Sequence, residues 1–125
     1  MTELVSLDIH QRGDVVVARL TGELDISVSA RTGESISRSV STAADGLVID
    51  FSDLEFIDSS GVAMLFRLAR LMQRRRQALR VVAPEGTAAA RVLEIVDFAR
   101  AAPIDQSLEE ALSGIGRDGE RLQHP

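Results

Sequence analysis

The sequence predicts an α/β domain with a mixed β-sheet of four to five strands and about four helices. Three observations carry that expectation. Of two runs near the N-terminus, Val5 to Ile9 alternates apolar and polar residues, the period of a half-buried strand, and Val15 to Leu20 is rich in β-branched residues. A short, nearly continuous apolar run, Leu47-Val48-Ile49-Asp50-Phe51, suits a central strand covered on both faces. Later segments place apolar residues three to four positions apart, the helical period. Strands alternating with helices imply a partly parallel sheet with right-handed crossovers.

In order, Leu4 to Ile9 reads as a strand, with Val5, Leu7 and Ile9 alternating with Ser6 and Asp8. Gln11-Arg12-Gly13-Asp14 is a turn signal, and Val15 to Leu20 completes a hairpin. Thr21-Gly22-Glu23-Leu24-Asp25 reads as a break. A Ser-rich helix is expected over Ile26 to Ala44, with Val28, Thr32, Ile36 and Val40 on one face and Asp25 or Ser27 as N-cap. The strand Leu47 to Phe51 comes next, then a connection from Ser52 to Asp58. Ser60 to Gln77 is the strongest helix: Val62, Leu65, Phe66, Ala69 and Met72 mark a core face. It ends in Arg74-Arg75-Arg76, cations at the negative end of the helix dipole. Leu79 to Ala83 is a strand, Thr87 to Val96 a helix with Val92, Leu93 and Val96 inward, and Ile104 sits in a short edge strand. Ser107-Leu108-Glu109-Glu110 is a capping box opening a last helix that Gly114 closes. Residues 1–113 thus form the domain, and 114–125 a polar, flexible tail.

Composition removes whole classes of function. The chain has 125 residues, enough for one domain, and 45% hydrophobic with 26% charged residues is a globular balance. The absence of cysteine excludes disulfides, thiolate metal sites and cysteine nucleophiles. No apolar run approaches the roughly 18 residues that span a bilayer. Met1-Thr2-Glu3-Leu4 shows no secretory leader, so a cytoplasmic bacterial protein without membrane insertion is expected. A net charge of −5 argues against nucleic acid as a partner, and 3% aromatics against base stacking. His10 and His124 are far apart and read as surface residues, so neither a metal nor a cofactor is expected.

The chemistry concentrates in Asp58-Ser59-Ser60-Gly61, between the buried strand and the strongest helix. In open α/β sheets, sites gather beyond the carboxyl ends of parallel strands. A helix start leaves backbone amides unpartnered, and either serine could serve as the cap. Gly61 would let another chain approach the backbone closely. A hydroxyl at this corner is accessible to a partner enzyme. A hydrolase nucleophile needs a base within reach and the sequence lacks Gly-x-Ser-x-Gly; a phosphate loop needs Gly-Lys-Ser/Thr, and there is no Lys. A stand-alone enzyme is disfavoured on those grounds. On the helix, Met64, Leu68 and Leu71 form a second stripe, open to two readings. It is buried beneath neighbouring helices, or Met64 touches a partner with Arg67 and Arg70 rimming the contact.

The chain resembles the STAS family of bacterial anti-sigma factor antagonists from roughly Leu4 to Leu112. Gly22-Glu23-Leu24-Asp25 is similar to the family's segment after the second strand, and Leu47 to Ser52 running on through Phe56-Ile57-Asp58-Ser59-Ser60-Gly61 to its central strand and phosphorylation loop. Ser107 to Leu112 is similar to its terminal helix. Val62-Ala63 departs modestly from the Leu-Gly often found there. The resemblance implies a switch that binds an anti-sigma factor serine kinase, releases a sigma factor, and is turned off by phosphorylation at Ser59. A phosphoserine phosphatase restores it. It implies that Asp25 joins the partner surface near the acceptor and that Ser60 caps or supports the helix; Asp58, Ser60 and Gly61 are expected at the same partner contact. The competing function is an accessory subunit of a membrane lipid transporter. Such STAS-like chains usually lack the phosphorylation loop, so the intact Asp58-Ser59-Ser60-Gly61 favours the antagonist.

Overall fold

β1 (Val5–Arg12) and β2 (Val15–Leu24) pair antiparallel around a turn in which Gly13 takes φ +62°. The computed structural model describes residues 5–123; Leu4, assigned above to the first strand, and His124 lie outside them. β3 (Gly46–Ile57), β4 (Ala78–Val82) and β5 (Ile104–Asp105) add in parallel, giving the sheet order β1-β2-β3-β4-β5. Four helices connect or flank them: α1 (Ser29–Ser39), α2 (Ser59–Arg74), α3 (Ala88–Ile95) and α4 (Leu108–Gln123), with a 3-10 turn at Phe98–Arg100. The expected mixed α/β architecture and element order are therefore present.

Strand alternation divides the core into two layers. Val16, Ala18, Leu20, Leu47, Ile49, Phe51, Leu79 and Val81 face α1, α2 and α3. Val15, Val17, Val48 and Val82 face Ala111 and Ile115 of α4. β3 is thus covered on both sides, as its apolar run predicts. Each buried Leu, Ile or Phe contributes about 1.5–3 kcal/mol, so the larger three-helix layer holds most of the stability.

The structure corrects several element limits. β2 continues to Leu24, because Gly22 at φ +99° accommodates a register shift where the sequence suggested a break. β3 continues to Ile57 through the expected connection, because Asp53, Leu54, Phe56 and Ile57 pair with Thr21, Gly22, Glu23 and Leu24. Pairing overrides the loop-like Ser52, Asp53 and Glu55. α1 is shorter than expected and its N-cap, Val28, offers no side-chain bond. The Ser37 and Ser39 hydroxyls donate to carbonyls one turn back (3.0 and 2.8 Å), the competition that weakens serine-rich helices. Val96 is exposed rather than inward; Asp97 at φ +57° turns the chain so that Phe98 takes the buried place, edge-on to Phe66 at 5.0 Å between ring centroids.

The largest correction concerns α4. Gly114 does not close it: residues 114–123 continue the helix. Gly114 instead lies over Arg80, whose guanidinium binds Asp105 (2.8 and 3.2 Å) and Asp118 (2.8 Å) at 13% side-chain exposure. A Cβ at position 114 would fall 2.2 Å from Arg80 Cζ. This clasp, with Ile115 buried one residue later, holds the second half of the helix to the sheet. We predict that Gly114→Ala destabilises the domain by about 1–3 kcal/mol through overpacking, measured by urea denaturation. Helix propensity alone favours Ala by about 1 kcal/mol, so a stabilised variant would refute the clasp.

Candidate functional site

The site is the corner where the carboxyl ends of β2 and β3 meet the start of α2. The Asp58 amide donates to Leu24 O at 3.2 Å, continuing the pairing of the two strands by one residue. Asp58 is the N-cap of α2; the capping role expected for Ser59 or Ser60 falls to it. Its Oδ1 accepts from the Ser60 amide (2.9 Å), the Ser60 hydroxyl (2.5 Å) and the Gly61 amide (3.1 Å). Its Oδ2 accepts from the Ile26 amide at 3.1 Å, across from the other loop.

Ser60 is turned inward, with its Oγ 3.0 Å from Ser29 Oγ at the start of α1. Ser29 also donates to Asp25 O at 2.6 Å. Asp25 closes a local turn, its Oδ1 taking the Ser27 amide (2.9 Å) and hydroxyl (2.6 Å). Both loops are therefore fixed before any partner arrives. Ser59 takes no part in this network and stands exposed on the first turn of α2.

Of the other expected contact residues, two are placed otherwise. Gly61 is buried, and a Cβ there would meet Ile57 Cγ1 at 2.7 Å and Leu24 O at 3.1 Å. The close approach it permits is made by the chain's own β2 end. Met64 is 1% exposed, and α1 presses on it so closely that a Cβ at Gly33 would lie 2.6 Å from Met64 Cγ. At about 100° per residue, the Met64, Leu68, Leu71 stripe adjoins the Val62, Leu65, Ala69, Met72 stripe. Together they form one broad face, half on the sheet and half on α1. Burial is the reading that holds for Met64.

Sequence reasoning missed Ile26, the most exposed large apolar residue among the described residues at 81%, whose backbone is bonded to Asp58 beside Ser59. Phe56, 45% exposed, pairs with Glu23 at the same strand ends. Ile26 was hidden by its assignment to a helix; the signal was an isoleucine framed by turn-forming Asp25 and Ser27. Among the described residues no cluster of His, Asp and Glu could hold a metal ion, and no helix is long and apolar enough to cross a membrane.

The Ser60 hydroxyl and the Gly61, Ser60 and Ile26 amides together outweigh burial and hold the Asp58 carboxyl below its ordinary 3.8. A folded value below the unfolded one means that ionised Asp58 favours the fold. That contribution is complete well above pH about 4 and fades as pH falls through the depressed value. Asp58→Asn keeps a capping oxygen but cannot ionise. The wild type should be the more stable at neutral pH, with the gap closing toward pH about 2 in urea denaturation; a gap independent of pH would refute this. Met64→Glu buries an unpaired charge and should lower Tm sharply, and an unchanged Tm would show that position 64 is open to solvent.

Comparison with known proteins fits this geometry. The STAS domain family model matches residues 6–111. The anti-sigma-F factor antagonist RsfB of Mycobacterium tuberculosis is 25% identical over 112 residues, covering 89% of each chain. An anti-sigma factor antagonist from Mycobacterium paratuberculosis superposes with a TM-score of 0.80 at 22% identity, over 89% of this chain and 93% of that one. The Bacillus cell fate determinant SpoIIAA, solved in the phosphorylated form, gives 0.68 at 23% identity, over 88% and 99%. With the family model spanning all five strands and the corner that carries Ser59, the chain belongs to the STAS domain family.

Proposed function

We propose that this protein is an anti-sigma factor antagonist acting in the cytoplasm. It binds an anti-sigma factor that is also a serine kinase, so releasing a sigma factor, and phosphorylation of Ser59 ends that binding until a phosphatase removes the group. The observation that carries this reading is the contrast between two adjacent serines. The Ser60 hydroxyl is committed to Asp58, whereas the Ser59 hydroxyl is exposed at the same corner. The kinship with RsfB, itself named an anti-sigma-F factor antagonist, and the phosphorylated form of SpoIIAA point the same way. Asp25 and Asp58 shape the corner from within, while Ile26 and Ser59 offer it to a partner.

The physics favours exclusion over refolding. A phosphoserine carries about −1.5 to −2 charges. The start of α2 attracts such an anion by about 0.3–1 kcal/mol. A carboxylate about 6 Å away repels each unit of that charge by roughly 3 kcal/mol at an effective dielectric of 20, before salt screening lowers that figure. Repulsion is the larger effect, and water and salt at the exposed corner compensate for much of it. At a docked surface shaped for a hydroxyl, the dianion has no such compensation.

Incubation with candidate anti-sigma factor kinases and ATP should add one phosphoryl group to the wild type and none to Ser59→Ala, read by mass spectrometry. Modification that persists in Ser59→Ala overturns the site assignment. The phosphorylated protein should keep its circular dichroism spectrum while losing kinase affinity; extensive unfolding would overturn the exclusion mechanism.

A further inference from the structure

The exposed surface of α2 that starts at Ser59 continues down the helix. At about 100° per residue, Ser59, Ala63, Arg67, Arg70 and Arg74 lie within a sector about 80° wide, and all five are exposed. One strip therefore begins at the hydroxyl and ends in three guanidinium groups. Residues 59–84 contain six Arg and neither Asp nor Glu, in a chain whose net charge is −5. The ion pairs among the described residues use other arginines; Arg67, Arg70 and Arg74 are in none of them.

Folding does not account for this strip. Arg67 with Arg70, and Arg70 with Arg74, are like charges three and four residues apart, each pair costing a few tenths of a kcal/mol. Alongside runs an open groove of about 280 Å³ between α1 and α2. Its lining includes Gly33, Met64, Leu68 and Leu71; Arg67 and Arg74 border it from α2, and Glu34, paired with Arg38, borders it from α1. The strip thus sets positive charge on the Ser59 face of the helix, beside a furrow floored by Leu68 and Leu71.

We infer that this strip is the docking face for an acidic segment of the anti-sigma factor kinase, an inference that rests on the function proposed above. Carboxylates of the partner meet Arg67, Arg70 and Arg74, an apolar ridge enters the groove, and Ser59 is covered at the end of the strip. Arg67 and Arg70 stand about 12 and 17 Å along the helix from Ser59, beyond a Debye length of about 8 Å. A phosphate on Ser59 therefore leaves their attraction for the segment intact, and it acts where the partner covers Ser59, at the other end of the strip.

The test uses the kinase that phosphorylates Ser59 and measures its affinity by calorimetry for the wild type, Arg67→Glu/Arg74→Glu and the milder Arg67→Gln/Arg74→Gln. Charge reversal should weaken binding about tenfold or more, and wild-type affinity should fall as salt rises from about 50 to about 300 mM. The Gln variant should lose less, in the same direction, and both variants should keep the wild-type Tm. Unchanged affinity in folded variants, or a wild-type affinity indifferent to salt, overturns the docking face while leaving the Ser59 switch standing. If no kinase binds the wild type, the functional reading falls and the docking face with it. If the wild type but not the reversal variant is retained on phosphatidylglycerol vesicles, with kinase affinity equal for both, the arginines serve a membrane surface and the inference is overturned.

Discussion

The Asp58 carboxylate joins two parts of the chain that are distant in sequence. One oxygen takes the Ile26 amide from the loop after β2; the other takes the first-turn amides of α2 and the Ser60 hydroxyl. With the bond from the Asp58 amide to Leu24, this fixes the loop and the helix start as one unit. The difference between the two serines follows. Successive helical residues point about 100° apart, so once Ser60 is drawn inward, Ser59 faces out. The carboxylate also takes up the amides that an incoming anion could otherwise use, which leaves little reason for the corner to rearrange around one.

Charge is distributed unevenly around this unit. Glu23, Asp25, Asp53, Glu55 and Asp58 crowd the carboxyl ends of β2 and β3, whereas α2 carries only cations. Arg19 pairs with Asp53 on neighbouring strands, so part of the acidic end is neutralised internally. The helix has no equivalent compensation among the described residues. A partner must therefore match two fields of opposite sign, a demand that contributes selectivity more than affinity.

Much of this was legible before any coordinates. The apolar run of β3 and the periodicity of α2 are strong signals because burial on two faces and on one broad face leaves little choice of residue. What escaped was tertiary in origin. Ser52, Asp53 and Glu55 disfavour a strand locally, yet the pairing of Asp53, Leu54, Phe56 and Ile57 with β2 keeps the segment extended. Gly114 looks like a helix stop because its reason for being glycine, the Arg80 guanidinium, lies on β4. The Met64 stripe announced an apolar helix face without saying what covers it; the covering residue, Gly33, looked only like a weakness in α1. The choice of Asp58 over the serines as cap was undetermined, since all three side chains suit that position.

The contact between Gly61 and Leu24 has a consequence for how such a protein can diverge. Both ends of the stretch from Leu24 to Asp58 are pinned to each other, one by a carbonyl with no room beside it and the other by a carboxylate. Insertions or deletions within it cannot be absorbed at those ends without swinging the exposed Ser59 oxygen off its bearing. They have to be taken up at the far end of α1, around the exposed Thr42 and Ala43. Length drift between relatives should accordingly collect at that distant bend, while the spacing at the corner stays frozen.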